Sequence, residues 1–98
     1  MSYASITVAE NLAMVEYWAV DAQLGPDRPD GLISEAAGCN DAGLHVITVW
    51  ESKAHHERFV TERLVPAFQA AGVHPGPLTF TNLDLDAFYL RAGETANR

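Results

Sequence analysis

Gly43–Gly72, GLHVITVWESKAHHERFVTERLVPAFQAAG, is the stretch around which the other elements arrange themselves. Its first part, Leu44 to Glu51, is apolar on both alternating sets, with Leu44, Val46, Thr48 and Trp50 on one side and His45, Ile47 and Val49 on the other. A strand of this kind is covered on both faces. Ser52 stands where an N-cap satisfies an orphan amide of a first helical turn. On 3.6-residue geometry His56, Phe59, Val60, Arg63, Leu64, Ala67 and Ala71 then fall within about half a turn, which predicts an amphipathic helix closed by Gly72. Pro66 lacks a backbone donor and predicts a kink near Glu62.

Towards the N-terminus, Tyr3 to Ala9 (YASITVA) is rich in β-branched residues and predicts a strand. Asn11 is a candidate cap for a helix over Leu12 to Leu24. Its wheel places Leu12, Val15, Trp18, Ala19 and Ala22 on one side, the expected core stripe. Ala13, Tyr17, Val20 and Leu24 form a second strip nearly opposite, to be covered by a neighbouring element or another subunit. GPDRPDG (Gly25 to Gly31) predicts a loop, Leu32 to Cys39 a short strand, and Asn40 to Gly43 a hairpin connection. Beyond Gly72, HPGP predicts a turn and Leu78 to Tyr89 a last strand.

The order β-α-β-β-α-β predicts an α+β, ferredoxin-like fold, a four-stranded antiparallel sheet with two helices on one face. Residues 1–90 make one domain and 91–98 a flexible C-terminal tail. The sheet face without helices is left bare. Because the strand after Gly43 is apolar on both sides, that face is expected to meet a second sheet across a two-fold axis, making a homodimer.

With 13 acidic residues against 6 Lys and Arg, the formal charge is -7 and no basic cluster occurs. Nucleic acid and anionic membrane surfaces are therefore disfavoured as partners, leaving a small-molecule ligand. No basic leader and no long apolar run is visible, which points to a cytoplasmic protein. The lone Cys39 reads as a small buried hydrophobe. No H-x-x-x-H or Cys-His cluster, phosphate loop, dinucleotide fingerprint or nucleophile elbow is present, so neither a metal nor another bound cofactor is expected.

Val49-Trp50-Glu51-Ser52-Lys53-Ala54, leading into an amphipathic helix, resembles the strand-to-helix junction of antibiotic-biosynthesis-monooxygenase-like domains in the dimeric α+β barrel superfamily. The resemblance extends from Ser5 to about Tyr89 in element order and length. It implies a barrel formed by two copies. Cofactor-free oxygenases, haem-degrading enzymes, polyketide cyclases and lactone isomerases share that plan, so it implies a fold more firmly than a function. Where such domains often carry a histidine on the helix after the junction, this chain has Phe59.

Candidate catalytic residues are His56, Arg63 and Asn11. His56 and Arg63 share a helical face, where an imidazole could take a phenolic or α-carbon proton and a guanidinium could hold the anion. The bland alternative is a histidine capping the core and an arginine paired with another element. Asn11, read through the resemblance, would orient a phenolate or enolate. Trp18, Trp50, His45, Phe59, Phe80 and Tyr89 are the candidate ligand-binding set, although such aromatics also serve as core and His45 as a satisfied neutral histidine. The favoured reading is a small cofactor-independent enzyme, monooxygenase-like or cyclase-like, acting on a planar aromatic or polyketide-like molecule between sheet and helices. The alternatives are a non-catalytic small-molecule-binding dimer and a haem-degrading monooxygenase.

Overall fold

The computed structural model describes residues 2–90, and the predicted tail at 91–98 lies outside the described residues. The elements are β1 (Ser2–Ala9), α1 (Met14–Leu24), β2 (Leu32–Asn40), β3 (Gly43–Trp50), a second helix that begins at Lys53, and β4 (Leu78–Leu85). The sheet order is β2-β3-β1-β4 with every neighbouring pair antiparallel, the ferredoxin-like α+β arrangement expected. β1 therefore lies in the middle, between β3 and β4.

Register sorts the sheet into two faces, because directly opposed residues point the same way. Tyr3 opposes Trp50 and Asp84, and Ser5 opposes Thr48 and Asn82. This set meets the helices: the Trp50 ring lies 5.1 Å from Phe59 and 5.5 Å from His56, and Tyr3 lies 5.7 Å from His56. Trp50 is 1% exposed and forms the centre of the core with Tyr3 and Leu32. The opposite face carries Ala4, Ile6 and Val8, Val49, Ile47 and His45, then Leu83, Thr81 and Thr79. Among the paired residues on that face none is an acid, a lysine or an arginine.

The second helix departs from uniform α geometry in one turn. α2 (Lys53–Phe59) and α3 (Val65–Ala71) are joined through a π turn at Val60–Leu64, in which the Val65 N–H donates to the Val60 carbonyl. A proline ring crowds the carbonyl four residues earlier, and the wider turn ahead of Pro66 relieves that crowding near Glu62. The Ser52 cap is present, its hydroxyl accepting the His55 N–H at 3.2 Å. Gly72 ends the helix in the left-handed region, with the Val73 N–H donating to the Phe68 carbonyl.

Four expectations need correction. In α1 the faces are reversed: Val20 is buried and Tyr17 reaches the sheet, while Val15 is 69% and Trp18 49% exposed. The helix starts after Ala13, not at Asn11, and Glu16 accepts the Ala13 N–H at 2.7 Å. β4 ends at Leu85, so Phe88, Tyr89 and Leu90 fall beyond the sheet. Cys39 is exposed near the end of β2. At the following turn Asn40 pairs with Gly43, and the Asn40 side chain accepts the Ala42 N–H at 2.8 Å. Only glycine fits at 43, since φ is 114° and a Cβ there would lie 2.5 Å from the Ala9 carbonyl oxygen.

Candidate functional site

A bulge in β2 builds the site. Simple alternation would put Leu32 and Glu35 on opposite faces, but the register shifts between Leu32 and Ser34, so that Leu32 opposes Trp50 and Glu35 opposes Thr48. Both then face the helices. The Tyr17 hydroxyl, brought inward by the orientation of α1, donates to Glu35 Oε2 at 2.8 Å. Next to this pair the Trp50 indole donates to Thr48 Oγ1 at 2.8 Å, and the Thr48 hydroxyl donates to the Ser5 carbonyl at 3.4 Å. These bonds tie α1 to β2 and β3 to β1, and the opposed residues Glu35 and Thr48 bring the two links side by side as a polar seam behind an aromatic core.

Over the seam lies a cavity of about 280 Å3. Leu24, Leu32, Trp50 and Phe59 make its apolar walls, and Gly25, Pro26 and Pro29 close one side. Its polar lining is Asp21, Asp27, Arg28, Glu35 and Thr48. The loop that walls it is tied down from outside. Gly31 passes under the His55 ring, where a Cβ would lie 2.4 Å from ring atoms, and Asp30 approaches Arg58 at 3.4 Å and His55 at 3.8 Å. The Gly31 carbonyl also accepts the Glu51 N–H at 2.8 Å. A cavity of about 150 Å3 holds benzene, so this one has the size for a planar molecule of one or two rings, and not for a tetrapyrrole of roughly forty heavy atoms.

The sequence-predicted residues are divided among different places. Trp50 and Phe59 line the cavity. His56 and Phe80 instead border a wider, more open groove between the second helix and β4, shared with Tyr3 and Asn82. Arg63 donates to the Leu24 carbonyl at 2.7 Å, holding the C-terminal end of α1 as a structural tie. Asn11 is exposed and its amide lies close to Gly76. His45 belongs to the face away from the helices and its Nδ1 lies 3.1 Å from the Gly43 carbonyl. Trp18 packs edge-on to Tyr17 on the outer side of α1, and Tyr89 is 93% exposed. The triad His56, Arg63 and Asn11 is thus not assembled around the cavity. Glu35, Tyr17 and Thr48 were missed; the signal was a single carboxylate inside the otherwise uncharged strand LISEAAGC.

Burial against Trp50 and Tyr3 lowers the His56 pKa from 6.5, an effect opposed by the neighbouring Glu57 carboxylate. The unfolded chain therefore takes up this proton first as pH falls. Stability is full above about pH 6.5 and declines as pH drops through the lowered folded value, where protonation of the unfolded state is favoured. Urea midpoints at pH 7.5 and pH 5 are expected to differ less in His56→Gln than in the parent; an unchanged difference would remove this contribution.

Among the described residues no three His, Cys, Asp or Glu side chains gather so as to hold a metal ion, and no helix is long and apolar enough to cross a membrane. No protein-family model and no curated protein matches the chain. Solved structures do. A protein from Chloroflexus aurantiacus J-10-fl, provisionally assigned as an antibiotic biosynthesis monooxygenase, is 11% identical with a TM-score of 0.67, over 91% of this chain and 97% of that one. This chain shares that protein's fold, a four-stranded antiparallel sheet with the helices on one face. Rv0793 from Mycobacterium tuberculosis is 19% identical, with a TM-score of 0.62 over 89% of this chain and 98% of that one. NE2512 from Nitrosomonas europaea, a protein of unknown function, is 15% identical with a TM-score of 0.63 over 94% and 95% of the two chains. At such identities the likeness establishes the fold and leaves the chemistry to the residues of the cavity.

Proposed function

We propose that the protein is a small cofactor-independent enzyme, monooxygenase-like or cyclase-like, that takes a planar aromatic molecule into the cavity beside Trp50. The observation that carries this reading is the Glu35 carboxylate, held by the Tyr17 hydroxyl at 2.8 Å and lining an aromatic-walled cavity of about 280 Å3. Glu35 replaces His56 as the proton acceptor. A phenolic O–H or α-carbon C–H of the substrate breaks, the proton passes to Glu35, and the electron pair stays on the substrate. Arg28 is the cation that lines the cavity and would balance the resulting anion. In the oxygenase version that anion gives an electron to dioxygen.

The reading includes a homodimer in which the uncharged sheet faces meet. Ile47 and Leu83, each 44% exposed on that face, support it.

The test is oxygen uptake, and separately ring closure, with naphthohydroquinone-type substrates. Glu35→Gln is expected to reduce turnover by about 10²–10⁴-fold, the usual contribution of a positioned base. Full activity in that variant would overturn the role of Glu35. Saturable binding to the parent without turnover of any substrate would leave a binding protein in place of an enzyme.

A further inference from the structure

We infer that the loop Gly25–Gly31 is a lid over the cavity, hinged at its two end glycines and latched to the second helix by Asp30. The inference rests on the cavity being the ligand site and says how a ligand enters and leaves it.

Most of the cavity wall is regular structure. Leu32, Glu35, Thr48 and Trp50 belong to the sheet, Asp21 and Leu24 to α1, and Phe59 to the second helix, and such elements move only with their packed neighbours. Gly25, Pro26, Asp27, Arg28 and Pro29 make the wall that lacks regular structure, and a loop is the element that opens at least cost.

The loop has the build of a stiff flap on two pivots. Gly25 and Gly31 have φ of 83° and 82°, a region that glycine enters freely, and Pro26 and Pro29 restrict the segment between them. Both pivots are anchored. The Arg63 guanidinium holds the Leu24 carbonyl at 2.7 Å at one end, and the Gly31 carbonyl accepts the Glu51 N–H at 2.8 Å at the other. Pro29 is buried against the cavity while Arg28 and Asp30 on either side of it are exposed, so Pro29 is the part of the flap that plugs the space.

The latch lies next to the plug. Asp30 is 81% exposed and meets Arg58 at 3.4 Å and His55 at 3.8 Å. Surface pairs of this kind are weak and screened by salt, which suits a contact that has to open. Releasing it, together with the 3.2 Å turn bond from the Leu32 N–H to the Pro29 carbonyl, frees Pro29 to swing outward. Arg28 travels on the same loop, so closure over a ligand carries in the guanidinium that would balance the substrate anion.

The probe is 2-naphthol, two fused rings and uncharged at neutral pH, mixed with the full chain in a stopped-flow fluorimeter. Asp30→Asn keeps the shape of the side chain and removes its charge. It is expected to raise the association and dissociation rate constants together by about two- to fivefold, leaving Kd within about twofold of the parent value. Arg58→Gln should give a smaller change in the same direction, because His55 remains. In about 0.5 M salt the parent rates should rise towards those of Asp30→Asn, whose own rates should not respond. Unchanged rates in both variants, or a change in dissociation alone, would overturn the lid and leave the cavity as a ligand site. Failure of the parent to bind 2-naphthol would overturn the cavity reading and this inference with it.

Discussion

Trp50→Ala is expected to lower stability by about 3–5 kcal/mol, the usual range for removing a large buried aromatic. The indole is 1% exposed, touches Phe59 and His56, and donates to Thr48 Oγ1. Its loss therefore opens a void at the junction of sheet and second helix and leaves the Thr48 hydroxyl without its donor. For a domain of this size each kcal/mol moves Tm by about 4–8 °C, so the midpoint should fall by more than about 12 °C. Trp18→Ala is the control. Trp18 is 49% exposed on the outer side of α1, and its truncation should cost less than about 1 kcal/mol. Equal losses in the two variants, measured by thermal or urea unfolding, would contradict the orientation of α1.

In the proposed dimer, Ile47→Asp should leave only monomers at micromolar concentrations. Ile47 sits on β3, at the centre of the face that carries no formal charge. The two-fold axis would duplicate any carboxylate placed there. Burying an unpaired carboxylate costs several kcal/mol per ion, so the dissociation constant should rise by at least about 10³-fold. Because Ile47 is already 44% exposed within one chain, the monomer should keep its fold, which circular dichroism can verify. Val15→Asp, on the 69% exposed outer side of α1, should leave the mass unchanged. Sedimentation equilibrium decides the matter, and a parent that is itself monomeric at tens of micromolar would end the dimer proposal.

The architecture was legible because its determinants are local. The strand β3, the Ser52 cap and the stripe from His56 to Ala71 lie within one continuous stretch and were read correctly. The orientation of α1 was not legible. Its more hydrophobic side, with Val15 and Trp18, faces outward, because Tyr17 on the other side finds Glu35, a partner 18 residues away. The site stayed hidden for a related reason. The β2 bulge moves Glu35 to the helix side, and nothing in the alternation of LISEAAGC announces the extra residue. His56 and Arg63 share a helical face as their spacing requires. Yet one borders the open groove and the other ties α1, since a shared face does not mean a shared partner.

The π turn at Val60–Leu64 bears on how this chain should be aligned with others. A π turn holds one residue more than the α turn it replaces. Against a relative whose helix is uninterrupted, a gapless alignment matched through Phe59 falls out of step after Leu64, by about 100° around the axis. Core positions such as Ala67 would then be compared with solvent positions, lowering apparent identity without any change of fold. Transferring a role from a relative to a residue beyond Val60 thus requires superposition first, with a one-residue insertion placed inside the helix.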